Sequence, residues 1–169
     1  MTYMARLSTL SAATMSDVDS EGLDEIKKKV WDFHSDLMSW WDTCPPPLRD
    51  QTTDWRRLPR PEKLTVKETL EAESSSSAKS CFLGCIIYLH HILDPLRGVD
   101  QNEEVIEAIT WILKTAKETP GGFGLEMGLH WGLFMAGIAI FNDVVAEDLI
   151  RHKLTPDNSI SIYVSIRLN

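Results

Sequence analysis

Residues 78–93 carry Phe82, Leu83, Cys85, Ile86, Ile87, Tyr88, Leu89, Ile92 and Leu93, which are apolar at nearly every angle of a helical projection. A helix without a polar face is stable in water only when other elements surround it. The segment therefore predicts a central helix, closed by Pro95 and Gly98, and the rest of the chain must supply its cover.

Amphipathic partners follow on both sides. After Asp19, Ser20 is placed as an N-cap with Glu21 in the first turn. Leu23, Ile26, Val30, Phe33, Leu37 and Trp40/Trp41 then recur at steps of three and four, one stripe of a helix. Lys27, Lys28 and Lys29 read as partly solvated, their stems lying over apolar surface. Cys44-Pro45-Pro46-Pro47 ends this helix, because proline lacks an N–H and restricts the residue before it. Residues 48–63 read as a connector around Trp55, residues 62–73 as a weak helix, and Ser74–Ser77 as a flexible linker or N-cap region. Asp100 and Glu103 have capping-box spacing before a helix carrying Val105, Ile106, Ile109, Ile112, Leu113 and Ala116. That helix stops at Thr119-Pro120-Gly121-Gly122. Another is expected over 128–141, through Leu129, Leu133, Phe134, Ile138 and Phe141, and a shorter one over 145–153.

The predicted fold class is all-α, a multi-helix bundle or array. Its domain spans residues 20–154, with a disordered N-terminus over 1–19 and a tail over 155–169. Phe82, Ile86, Leu89, Ile109, Leu133 and Phe134 are expected to pack together, with Cys81 and Cys85 buried among them and Cys44 near the proline-rich helix end. In the tail, Ile160, Ile162, Val164, Ile166 and Leu168 alternate with polar residues, a strand pattern with no second strand to pair with. The tail is expected to stay outside the packed domain, as a frameshifted or intron-derived end would.

Charge and composition narrow the function classes. The 169 residues have a formal net charge of −8, whereas phosphate contacts that drive nucleic-acid binding need basic surface. Arg56, Arg57 and Arg60 form a local basic cluster, read as a solvated loop. Three cysteines, Cys44, Cys81 and Cys85, are too few for a disulfide framework and read as reduced thiols. Residues 1–16 lack a continuous apolar run, so no secretory signal is expected, and the apolar run near residues 81–89 is too short to span a bilayer.

Motifs that carry chemistry are missing at local spacings. His90 and His91 are adjacent, about 100° apart on a helix, and cannot share a metal as i, i+4 residues can. His34, His130 and His152 have no partner at a recognised ligand spacing, and Cys81 with Cys85 supplies only half of a tetrahedral zinc site. The expectation is no catalytic, cofactor or metal site, and no stoichiometric zinc. Gly121-Gly122-Phe123-Gly124 lacks the P-loop lysine and follows a helix rather than a strand. Glu103-Glu104 and Glu147-Asp148 lie near predicted helix starts, where they complement the dipole. The chain is expected not to be an enzyme. Six tryptophans (Trp31, Trp40, Trp41, Trp55, Trp111 and Trp131) read first as core or groove-lining residues, and secondarily as walls of a small-molecule pocket.

Four stretches, in order, carry a family resemblance. Leu37-Met38-Ser39-Trp40-Trp41 running into Pro45-Pro46-Pro47-Leu48-Arg49 resembles a passage of fungal zinc-cluster transcription factors. Ile86-Ile87-Tyr88-Leu89-His90-His91-Ile92-Leu93 is similar to a helix of their regulatory region, and residues 104–118 closing at Pro120 resemble the next. Trp131-Gly132-Leu133-Phe134-Met135-Ala136-Gly137 resembles a further helix, with Gly132 where proline is common, and Glu147-Asp148-Leu149-Ile150 suits the one after it. The resemblance covers roughly residues 24–154. It implies a helical regulatory region of a nuclear regulator of RNA polymerase II genes, acting through protein partners of the transcription machinery or a small-molecule effector, with no membrane role. The family's six-cysteine zinc cluster is absent and its helical region is longer on both sides. The chain therefore looks like a C-terminal portion, from a divergent copy or a truncated gene model, that does not bind DNA directly. The other reading is a generic helical interaction scaffold without a transcriptional role, although no 34-residue repeat is present.

Overall fold

A computed structural model describes residues 20–49, 54–57, 63–93, 102–120 and 125–140. Among these residues there are five helices and no strand: α1 (Ser20–Thr43), α2 (Pro46–Arg49), α3 (Val66–Leu93), α4 (Glu103–Glu118) and α5 (Leu125–Ala139). The all-α class holds. The expected Asp100 cap, the helix over 145–153, the N-terminal segment and the strand-like tail lie outside the described residues.

The central role of the apolar segment is seen directly, since α3 is lined by a core on each of two sides. On one side Ile26, Val30, Phe33, Leu37 and Trp41 of α1, with Cys44, bury against Phe82, Cys85, Ile86, Leu89 and Ile92. Trp41 stacks on Phe82, with centroids 4.5 Å apart and planes 9° from parallel. On the other, Ala72 and Ile87 join Val105, Ala108, Ile109, Ile112 and Ala116 of α4, Leu129, Leu133, Met135 and Ala136 of α5, and Trp55. The expected six-residue core therefore divides: Phe82, Ile86 and Leu89 face α1, whereas Ile109 and Leu133 sit in the second core. Phe134 is 46% exposed, one position off the buried stripe that Leu133 and Ala136 occupy.

The serine run does not break the chain into a linker and a helix. α3 is continuous through Ser74–Ser77. Thr65 and Glu68 form a capping box at its start: the Thr65 backbone N–H donates to the Glu68 carboxylate at 2.9 Å and the Glu68 N–H donates to Thr65 Oγ1 at 3.3 Å. Ser74 Oγ then donates to the Leu70 carbonyl at 2.6 Å, keeping the hydroxyl on its own helix, and Ser75 Oγ donates to the Leu48 carbonyl oxygen at 3.3 Å, which ties α2 down. Small side chains here let α5 approach closely. A Cβ at Gly128 would collide with Ser77, one at Gly132 with the Ser80 hydroxyl and carbonyl, and one at Gly84 with the Trp131 ring at 2.7 Å. Serine that looks like flexible sequence is packing surface.

Helix ends follow the proline and cap chemistry. Cys44 N–H donates to the Trp41 carbonyl at 3.0 Å in a tightened last turn before Pro45, and Arg49 Nη1 donates to the Asp42 carbonyl at 2.7 Å. α4 starts from Asn102, whose Oδ1 accepts the Val105 N–H at 3.2 Å, so Glu103 is its first residue rather than the third of a box built on Asp100. It ends at Thr119, extended at ψ 118° as Pro120 requires. No described helix is long and apolar enough to cross a membrane.

Candidate functional site

Three helices meet at a polar cluster on the rim of the α1–α3 core. His34 lies on α1 beside the buried stripe, next to Phe33. His90 sits in the last turn of α3, and Glu104 in the first turn of α4, where the positive end of the helix favours a carboxylate. His34 Nε2 is 3.1 Å from each Glu104 carboxylate oxygen, and His90 Nε2 is 2.9 Å from Oε2. Side-chain exposures of 16%, 14% and 36% place the imidazoles out of bulk water and the carboxylate at its edge. The Glu104 carboxyl is held below its ordinary value of 4.5, first by the hydrogen bond from His90, with His34 adding to it against the opposing cost of burial.

Asn102 fixes the wiring. Its Oδ1 is occupied by the Val105 N–H, so its amide NH2 faces His90 Nδ1 at 3.0 Å. Nδ1 must then be the acceptor, and the neutral ring carries its proton on Nε2, aimed at Glu104. Trp31 walls the cluster, with its ring 5.5 Å from His34 and 5.8 Å from His90, both edge-on.

Sequence reading did not assemble this site. Glu104 stands 70 residues from His34 and 14 from His90, so no local spacing connects them. The available signal was indirect: a histidine ending one helix and a carboxylate opening the next face each other when their connector is short. Glu104 also complements the dipole of α4, as its place in the first turn predicts.

Other candidates resolve simply. Cys85 is buried and its thiol is pushed up to about 11, chiefly by burial, which makes it a poor nucleophile. Cys81, expected to be buried, is exposed, because its position faces the edge of α5; its S–H points to the Gly128 carbonyl oxygen at 3.8 Å. Arg56 and Arg57 lie in the solvated turn expected of them, Arg56 donating to Glu118 at 2.6 Å and Arg57 paired with Asp54 at 3.2 Å. Arg60 is outside the described residues. A surface groove of about 490 Å³ runs between α2 and the start of α3, lined by Pro47, Leu48, Val66, Lys67, Leu70, Glu71 and Ser74. None of the six tryptophans lines it: Trp55 and Trp41 are core, Trp111 is partly buried beneath the Lys79 ammonium, Trp131 packs on Tyr88, and Trp31 and Trp40 are exposed on α1.

Among curated proteins and among solved structures, none matches the chain. A family model described as the fungal specific transcription factor domain matches residues 1–155, and so takes in every helix described above. The matched range contains the Trp40-Trp41, Tyr88-Leu89-His90 and Trp131–Gly137 stretches, and the family is regulatory and in general not enzymatic. The chain belongs to the fungal specific transcription factor domain family.

Proposed function

We propose that this chain is the regulatory region of a nuclear regulator of RNA polymerase II transcription, and that these 169 residues do not themselves contact DNA. The observation that carries this reading is the match to the fungal specific transcription factor domain over residues 1–155. Regulatory input comes through protein partners or a small effector, and the groove beside Pro47 and Leu70 together with the exposed Trp31, Met38 and Trp40 of α1 offers apolar surface for either. Direct duplex binding is not part of its role, because a net charge of −8 opposes phosphate contact.

The test is a reporter assay with the full chain fused to a heterologous DNA-binding domain, alongside imaging of the unfused chain. Altered transcription together with nuclear accumulation supports the reading. An inert fusion and a chain that stays out of the nucleus would sink it and leave a helical scaffold without a transcriptional role. A sequence-specific, salt-dependent complex with DNA, surviving random competitor, would overturn the exclusion of direct binding.

A further inference from the structure

We propose that His34, His90 and Glu104 form a binding site for a divalent transition metal of the zinc class, distinct in ligands and place from any cysteine cluster. Their donor atoms, Nε2, Nε2 and a carboxylate oxygen, all lie within 4.8 Å of one another. A tetrahedral ion with bonds near 2.0 Å holds its ligand atoms about 3.3 Å apart. The observed separations of 2.9 and 3.1 Å from nitrogen to oxygen therefore need to open by only a few tenths of an ångström. Two imidazoles and one carboxylate are a ligand set suited to zinc, with the fourth position left for water. Each ligand sits on a helix, so the donors converge without a loop having to close.

The hydrogen-bonded cluster is complete without an ion, and Asn102 works against one. Ligation through His90 Nε2 moves the ring proton to Nδ1, where it meets the Asn102 NH2 group. Turning the amide over would relieve that contact, but it would remove the Oδ1 that caps Val105. The wild-type site is thus geometrically prepared and held weak by one second neighbour. Aspartate at 102 resolves the conflict: one carboxylate accepts both the Val105 N–H and the His90 Nδ1–H, giving a carboxylate–histidine–metal arrangement. This dependence gives the proposal a sign that adventitious surface binding does not share. An ion bound here would clamp α1 onto α3 and α4 and stabilise the fold by mass action.

The experiment is calorimetric titration of the full 169-residue chain with Zn2+, paralleled by Co2+ as an absorbance reporter of coordination. One saturable ion per chain is expected. His34→Gln and the near-isosteric Glu104→Gln should each weaken binding at least about tenfold, and Asn102→Asp should tighten it about 10–100-fold. Cys81→Ser should leave affinity unchanged, and so, within about twofold, should loss of the neighbouring exposed charge in Glu103→Gln. Circular dichroism of each variant separates lost binding from lost fold. The proposal is overturned if the wild-type chain takes up no ion below about 1 mM, whatever Asn102→Asp does. It is equally overturned if binding survives both His34→Gln and Glu104→Gln, or is lost with Cys81→Ser.

Discussion

The two sides of α3 are packed by opposite means. Toward α1 the interface is made of large side chains, with Phe33, Leu37 and Trp41 meeting Phe82, Ile86 and Leu89. Toward α5 it is made of what is missing, with Ser77, Ser80 and Gly84 on α3 facing Gly128, Trp131 and Gly132. Large-residue packing gains stability from buried area and fails by forming cavities. Small-residue packing gains it from close backbone approach and fails when anything is added. One helix carries both, and this is why its serines and its aromatic and aliphatic residues are equally constrained.

The sharpest way to break this contrast is to truncate on the large side. Phe33 is 1% exposed and central to the α1 face. Phe33→Ala should cost about 3–5 kcal/mol in denaturant unfolding. Leu89→Ala, at the same exposure on the facing helix, should cost about 2–5 kcal/mol. A loss below about 0.5 kcal/mol at either position would mean that α1 does not dock on α3 through these residues.

Addition should hurt the other side. Gly132→Ala places a methyl group against the Ser80 hydroxyl and carbonyl and 3.2 Å from Ile112 Cδ1. Overpacking of this kind costs about 1–3 kcal/mol. Replacing a helical glycine returns about 1 kcal/mol, so a net loss of up to about 2 kcal/mol in the same unfolding assay is expected. A stabilised variant would show that the α3–α5 seam has slack.

The polar cluster at the rim of the α1 face can be separated from both. Asn102→Ala should cost about 1 kcal/mol by removing the α4 cap, and it also frees His90 Nδ1. Glu104 adds a pH signature. Its carboxyl is lowered in the folded chain, first by the His90 hydrogen bond. The stability it contributes is therefore present above the unfolded value and is lost as pH falls through the folded one. Glu104→Gln should flatten the acid limb of a melting-temperature profile below about pH 5 relative to wild type. Superimposable acid limbs would mean that the hydrogen bonds to Glu104 do not persist in solution.

The legible parts of this fold were those with periodicity. The stripe from Ile26 to Trp41, the all-round apolar surface of α3 and the Pro120 stop follow from spacing and backbone chemistry alone. Two kinds of information were not local. Ser74–Ser77 has a linker's composition, and only distant partners turn it into packing surface: Leu48 of α2 meets Ser75, and Gly128 of α5, some fifty residues away, meets Ser77. Likewise His34, His90 and Glu104 are unremarkable in their own segments, and the site exists only once three helices are packed. The Asn102 cap of α4 is a smaller case, fixed by the extended backbone of the residue just before Glu103 and its bond to the Val105 N–H.

The smallest expected effect gives the finest test of what the α3–α5 seam requires. Ser80 is fully buried, and its hydroxyl has no hydrogen-bond partner among the described residues. If the seam needs hydroxyl chemistry, Ser80→Ala should be destabilising. If it needs only small volume, removing an unpartnered buried hydroxyl and gaining helix propensity should leave stability unchanged or raise it by about 0.5–1 kcal/mol. The second outcome is expected, because the Ser80 hydroxyl lies against the position that a Cβ would take at Gly132. The two sites should therefore couple: Gly132→Ala should cost less in a Ser80→Ala background than alone, by about 0.5 kcal/mol or more in a double-mutant cycle. Full relief is not expected, since the Ser80 carbonyl remains 3.0 Å from the added methyl. Strict additivity would place the Gly132 clash elsewhere, on Ile112, and would assign the closeness of α5 to α4 rather than to the serine face of α3.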